Sequence, residues 1–188
     1  MTLFFGLRRG EVLGLRWSSV DLNRKIMIIN HTVTKGTAIN RTNTTKTKSS
    51  TRDYPLTDEQ VDMFKKLKER ENVNRTMFGN GYFDSDYIFK HADGSLFYPD
   101  YLTKGFSKII KENPDLPQYI TLHGLRISCI SILVHAGFDI KSIQKWVGHK
   151  DLNTTLKIYA KVKDKESKQE ILEGMNALIH SKQYDLTN

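Results

Sequence analysis

A chain of 188 residues, 27% charged and 38% hydrophobic, has the composition of one ordinary folded domain rather than a disordered segment. Its apolar runs fall far short of the roughly 20 residues a membrane-spanning helix needs, and the short apolar start, Met1 to Gly6, lacks the basic flank and cleavage site of a secretory signal. The single cysteine, Cys129, excludes an internal disulfide and a multi-cysteine zinc site and fits a reducing, intracellular setting, while a formal charge of +8, from 29 Lys and Arg against 21 Asp and Glu, suits a protein that meets a polyanion.

In chain order, Leu7, Val12, Leu13 and Leu15 predict a helix, against which Gly6, Gly10 and Gly14 count. A domain that opens on an apolar helix without a lead-in reads as the C-terminal part of a longer protein. Lys25 to Asn30 is β-branched and apolar and predicts a strand, which His31 to Lys35 continues or pairs with. Gly36 to Thr45, rich in Thr and Asn, reads as an exposed loop, and Ser50 to Leu56 as a returning strand, giving a small antiparallel sheet. Thr57 with Gln60 forms a capping box that starts a helix whose buried stripe is Val61, Phe64 and Leu67. Tyr87 to Phe89 predicts a short strand before an Asp93-Gly94 turn. Pro99 suits the first turn of a helix carrying Tyr101, Leu102, Phe106, Ile109 and Ile110, which Pro114 and Pro117 end.

The last third predicts helices almost throughout. One runs from Thr121 to Ala136 and stops at Gly137. Asp139 caps a second, Ile140 to Val147, which stops at Gly148. Asn153 caps a third through Tyr159. In a final helix Ile171, Met175, Leu178 and Ile179 fall at i, i+4, i+7 and i+8, one apolar stripe. The fold class is α+β, mostly helical, with a small antiparallel sheet or hairpin.

The basic residues concentrate in two segments. From His31 to Leu56, Lys35, Arg41, Lys46, Lys48 and Arg52 stand against Asp53 alone, and from Lys141 to Lys168 eight lysines stand against three acids. Two such segments can grip one polyanion from two sides when the fold brings them together. His123 and Arg126, three apart on a helix, share a face, and the planar fork of arginine suits a phosphate. Singly, each of these residues has a plainer reading: a surface His and Arg, a helix-capping Gly148 with a loop His149, a core Tyr159, a surface Arg8.

Their order is more specific. Gly6-Leu7-Arg8-x-x-Glu11, a hairpin lysine, His123-x-x-Arg126, Gly148-His149 and Tyr159 resemble the catalytic domain of the tyrosine recombinases, the phage-integrase family. Leu133, Gly137, Ile143, Val147 and Thr154-Thr155-x3-Tyr159 extend the match over essentially the whole chain, and the Lys46-Thr-Lys48-Ser-Ser segment looks closest to integrases of integrative elements and temperate phages of low-GC bacteria. The resemblance implies a catalytic domain over residues 1–188 without the core-binding and arm-binding domains that usually precede it. It implies a site-specific recombinase or integrase that breaks and rejoins DNA through a 3′-phosphotyrosyl bond. In that chemistry Tyr159 is the nucleophile and Arg8 and Arg126 neutralise charge on the phosphate. His123 and His149 assist proton transfer, and Lys46, with Lys48 as the alternative on the same strand face, is the general acid. Glu11 reads as a support for Arg8.

The implied partner is double-stranded DNA, bound as a homo-tetramer by a protein that is monomeric when free, in the cytoplasm of a bacterial host at the nucleoid, with no membrane association. No cofactor is needed, and none of the six histidines falls in a metal-ligand spacing. Two other functions use the same fold: a DNA-binding module without catalysis and a type IB topoisomerase-like relaxing enzyme. The complete Arg-Lys-His-Arg-His-Tyr set argues against the first, and the short helical tail against the second.

Overall fold

The computed structural model describes residues 1–35, 39–43, 51–163 and 172–176. The expected N-terminal helix is two short ones, α1 (Thr2–Phe5) and α2 (Arg9–Leu13). Gly6 separates them in the left-handed region at φ +62, where a Cβ would lie 2.7 Å from Val147. The break lets Phe5 and Leu7, at 1% and 0% exposure, enter the core on either side of it. Only glycine takes that backbone at no steric cost.

A 3₁₀ turn at Trp17–Ser19 leads into β1 (Val20–Asp21) and β2 (Ile26–Ile29). Strand β5 (Arg52–Pro55) pairs antiparallel with the other edge of β2, Ile29 opposite Arg52 and Ile26 opposite Pro55, so the sheet order is β1-β2-β5. β3 (His31–Lys35) neither continues β2 nor joins that sheet. It forms a two-stranded ribbon with β4 (Ile39–Asn43), with His31 opposite Asn43 and Lys35 opposite Ile39. The expectation of an unpaired loop over this stretch is therefore corrected: five of its residues are a strand. Backbone pairing to β3 holds them there, which a search for apolar alternation does not detect.

Helix α3 (Asp58–Phe78) starts at the predicted capping box: the Thr57 N–H donates to Gln60 Oε1 at 3.0 Å and the Gln60 N–H to Thr57 Oγ1 at 3.4 Å. Val61 and Phe64 are buried and Leu67 packs beside them. Further along, Glu71 is buried with the equally buried Lys90, their charged atoms 3.0 Å apart. This pair anchors the irregular segment after α3. Tyr87 to Phe89 is not a strand there. It makes an isolated bridge, Arg16 with Tyr87, because only Asp86 and Ile88 exchange backbone bonds with Leu15 and Trp17.

Helices α4 (Tyr101–Glu112), α5 (Leu122–His135), α6 (Ile140–Val147) and α7 (Leu152–Lys163) complete the fold. Thr121 and Asp139 cap α5 and α6 as expected, and Gly148 ends α6 in the left-handed region. At α7 the cap differs: Asp151 Oδ1 accepts the Asn153 N–H at 3.0 Å, so Asp151 does the work expected of Asn153. One apolar cluster joins α1, α2, the three-stranded sheet and α3; a second, around Cys129, Ile130, Val134, Ile143 and Val147, joins α5 and α6. Trp146 bridges them, stacked on Phe5 and edge-on to Tyr54. Residues 172–176 are helical with Leu172 and Met175 exposed; Ile171, Leu178 and Ile179 of the expected stripe lie outside the described residues.

Candidate active site

Arg8 sits at the N-cap of α2 with an extended backbone. Its N–H donates to Glu11 Oε2 at 2.8 Å, its Nη1 to Glu11 Oε1 at 3.0 Å and its Nη2 to the Gly148 carbonyl at 3.0 Å. The half-exposed guanidinium is thus held between the start of α2 and the end of α6, next to His149. Glu11 itself is buried. Burial pushes its carboxyl up, but hydrogen bonding and charge from Arg52, then Arg8, outweigh this and hold it below the usual carboxylate range. The expectation that Glu11 supports Arg8 matches this geometry.

Arg126 lies on α5 one turn after His123, and only 2% of it is exposed. Its Nη1 donates to the Gly6 carbonyl, while its Nη2 is buried without a hydrogen-bond partner among the described residues. Burial, and then the charge of Arg8, lowers its pKa to about 10. A buried guanidinium with an unused donor is costly, and an anion placed against it relieves that cost. His123 is exposed in the first turn of α5, which leaves it open to the same anion.

His149 follows the left-handed Gly148. Its Nδ1 is 2.9 Å from the hydroxyl of Thr155, which is wholly buried on α7. Burial, then the charges of Arg126, Arg8, His123 and Arg52, lower its pKa to about 4, so the ring is neutral at pH 7. A Thr155 hydroxyl donating to Nδ1 leaves the ring proton on Nε2, free to donate to an oxygen. Tyr159 is one turn beyond Thr155 on the same face of α7. Its ring packs on the Cys129–Val147 cluster, and its hydroxyl makes no hydrogen bond among the described residues.

The fold therefore brings Arg8, Arg126, His123 and His149 within mutual electrostatic reach from four places in the chain, and sets Tyr159 one helical turn from the residue that touches His149. Lys46 and Lys48 lie outside the described residues. Sequence reasoning gave Tyr54 no site role, placed Arg52 only in a basic segment that grips a polyanion, and quoted Thr155 only as part of the family match. Arg52 donates from Nη1 and Nη2 to the two Glu11 oxygens at 3.1 and 2.8 Å, and from Nε to the Tyr54 hydroxyl at 2.7 Å. The available signal was period two: Arg52 and Tyr54 alternate on one face of β5, so an arginine shares the face of a core tyrosine. Among the described residues no group of three or more His, Cys, Asp or Glu stands together, and no helix is long and apolar enough to cross a membrane.

An apolar cleft of about 650 Å³ is formed by α1, α5 and α6, lined among others by Leu3, Phe4, Ile132, Leu133, Phe138 and Trp146.

Residues 2–166 match the model of the phage integrase family. The chain is 30% identical over 167 residues to the integrase of Staphylococcus phage L54a, covering 87% of this chain and 47% of that protein. It is 34% identical over 164 residues to the transposase of transposon Tn916 from Enterococcus faecalis, covering 82% and 39%. The integrase of transposon Tn1549, solved in complex with circular intermediate DNA, superposes with a TM-score of 0.74 at 22% identity, covering 94% of this chain and 57% of that one. The XerA recombinase superposes at 0.60 and 22%, covering 94% and 55%. The chain thus spans about half the length of the curated relatives it matches, and the mostly helical fold with a small antiparallel sheet is that of these solved recombinases.

Proposed function

This chain belongs to the phage integrase family, and on that premise we propose that residues 1–188 are the catalytic domain of a site-specific recombinase that breaks and rejoins double-stranded DNA through a 3′-phosphotyrosyl intermediate. The observation that carries the proposal is the pair of arginines from distant parts of the chain, Arg8 and Arg126, converging beside His149, with Arg126 Nη2 buried and without a hydrogen-bond partner among the described residues. A scissile phosphate fills that role: its non-bridging oxygens accept from both guanidinium groups, which stabilise the charge that builds up as the phosphorus becomes five-coordinate.

In the proposed step the Tyr159 oxygen attacks phosphorus, the bond from phosphorus to the 5′-oxygen breaks, and the tyrosine stays joined to the 3′-phosphate. The phenol's proton passes to solvent, and the leaving 5′-oxygen takes one from Lys46 or Lys48, which solvent then reprotonates. Neutral His149 donates from Nε2 to a phosphate oxygen, and His123 reaches the same phosphate from the first turn of α5. Attack of another strand's 5′-hydroxyl on the phosphotyrosine reverses the step. The number of phosphoester bonds is conserved, so no nucleotide is consumed.

The experiment is adduct formation on nicked half-site duplexes drawn from a randomised library. Since arginines take the part of a cation, SDS-stable adducts are expected to accumulate equally with and without EDTA. Strict dependence on added Mg²⁺ contradicts the proposal.

The assembly we propose is a homo-tetramer on bacterial DNA, formed in the cytoplasm by a protein that is monomeric when free. The apolar cleft beside Trp146 would receive the Ile171–Ile179 stripe of a neighbouring protomer. Truncation after Lys168 is then expected to leave thermal unfolding unchanged and to remove the DNA-dependent oligomers seen by native mass measurement. Unfolding of the truncated monomer would instead assign the stripe to its own core.

A further inference from the structure

We infer that Arg52 is a positioning residue that locks the two halves of the site, Arg8 on α2 and His149 after α6, into one geometry. The inference rests on the recombinase reading above for its kinetic consequence, and on the fold alone for its structural one.

The three donor nitrogens of Arg52 are all committed to protein partners. Nη1 and Nη2 take the two Glu11 oxygens and Nε takes the Tyr54 hydroxyl. The Tyr54 hydroxyl in turn donates to the Trp146 carbonyl in the last turn of α6. One guanidinium therefore ties the helix that carries Arg8 to the helix end that presents His149, although its own residue stands on neither. It does so from inside: 14% of the side chain is exposed, against 47% for Arg8. Three of its five N–H donors are thus committed inside the protein, and a side chain so little exposed presents a phosphate with little surface.

Glu11 needs this partner. Its two oxygens accept from both arginines, and with Arg52 gone a buried carboxylate would be left to Arg8 alone. Satisfying it would draw the Arg8 guanidinium inward, off the Gly148 carbonyl. Lysine cannot stand in, because a single ammonium does not span two carboxylate oxygens and a phenol with the planar geometry of the fork.

Gly148 supplies independent support from the other side. A Cβ there would lie 2.7 Å from the guanidinium carbon and Nη1 of Arg52, and the residue has φ +67. The backbone at the end of α6 therefore rests directly on the Arg52 plane, and the glycine that ends the helix also makes room for the lock.

The test uses the full chain with Arg52→Met, Arg52→Lys and Gly148→Ala, read three ways. Adduct formation in a single turnover is expected to slow by ~10²-fold in Arg52→Met, the scale of a 1 Å misplacement, and to stay at least ~10-fold slow in Arg52→Lys and Gly148→Ala on the same ground. DNA affinity should change by no more than a few-fold, with an unaltered salt slope. Amide exchange at Gly148 and His149 should quicken in all three variants while the interior amides of α5 keep their protection. A wild-type adduct rate in Arg52→Lys, a salt slope lower by about one, the mark of a lost phosphate contact, or unchanged exchange at Gly148 and His149 would overturn the inference. Should Arg52→Met fail to fold, the Lys and Ala variants decide. If the wild-type chain itself forms no adduct, the recombinase reading fails, and amide exchange alone then decides whether Arg52 locks the site.

Discussion

Tyr159→Phe is expected to abolish covalent DNA adducts completely while leaving the protein folded and bound to DNA as before. The change removes one oxygen. The ring keeps its packing against the α5–α6 cluster, and the hydroxyl has no hydrogen bond among the described residues whose loss would destabilise the fold. Without that oxygen no phosphotyrosine can form, so the effect is on the covalent step alone. Gel-shift affinity and thermal unfolding serve as the controls. Adducts that persist in this variant would mean that another residue attacks the phosphate.

The second large effect is expected at Arg126. Arg126→Met should slow adduct formation by ~10²–10³-fold, the usual loss when one preorganised donor to a developing oxyanion is removed. The same substitution should not weaken the free fold. Arg126 keeps a buried charge with one nitrogen unpaired among the described residues, and burial, which lowers its pKa to about 10, makes that charge unfavourable in the folded chain. Because the folded-state pKa lies below the unfolded one, the charge opposes folding at neutral pH, the reverse of a paired cation. Methionine of similar length removes that cost and forfeits the hydrogen bond to the Gly6 carbonyl, two changes that offset. Thermal unfolding is expected at the wild-type temperature or above. A fall of more than about 3 °C, roughly 1 kcal/mol for a domain of this size, would show that Arg126 holds the fold together rather than waiting for an anion.

The elements with local signals were legible in the sequence. The Thr57 and Asp139 caps, the Gly137 and Gly148 stops and the spacing of His123 from Arg126 all depend on residues a few positions apart, and each lies where the local chemistry puts it. Besides the N-terminal helix that Gly6 splits, the partner of β3 and the α7 cap at Asp151, two strand readings differ from the structure for identifiable reasons. β4 is held by pairing with β3 rather than by an apolar face, and the strand expected at Tyr87 to Phe89 has partners for only one bridge. The site was legible as a set of residue types in order, through the family resemblance. What the sequence could not disclose is how distant residues divide the work. Glu11 and Arg52 are 41 residues apart, and Arg8 and Gly148 are 140 apart. The alternation of Arg52 with Tyr54 puts the arginine on a core-facing side of its strand, but it does not name Glu11, 41 residues away, as the partner.

Peptide mapping of the adduct identifies the side chain that becomes joined to the 3′-phosphate of a cut strand. Protein trapped on a nicked half-site is digested with protease and nuclease, and the peptide that carries a nucleotide remnant is sequenced by mass spectrometry. Digestion with trypsin is expected to yield a single modified peptide, Ile158 to Lys161, with the remnant on Tyr159 through a 3′-phosphate. A remnant on any other side chain, or one joined through a 5′-phosphate, would contradict it.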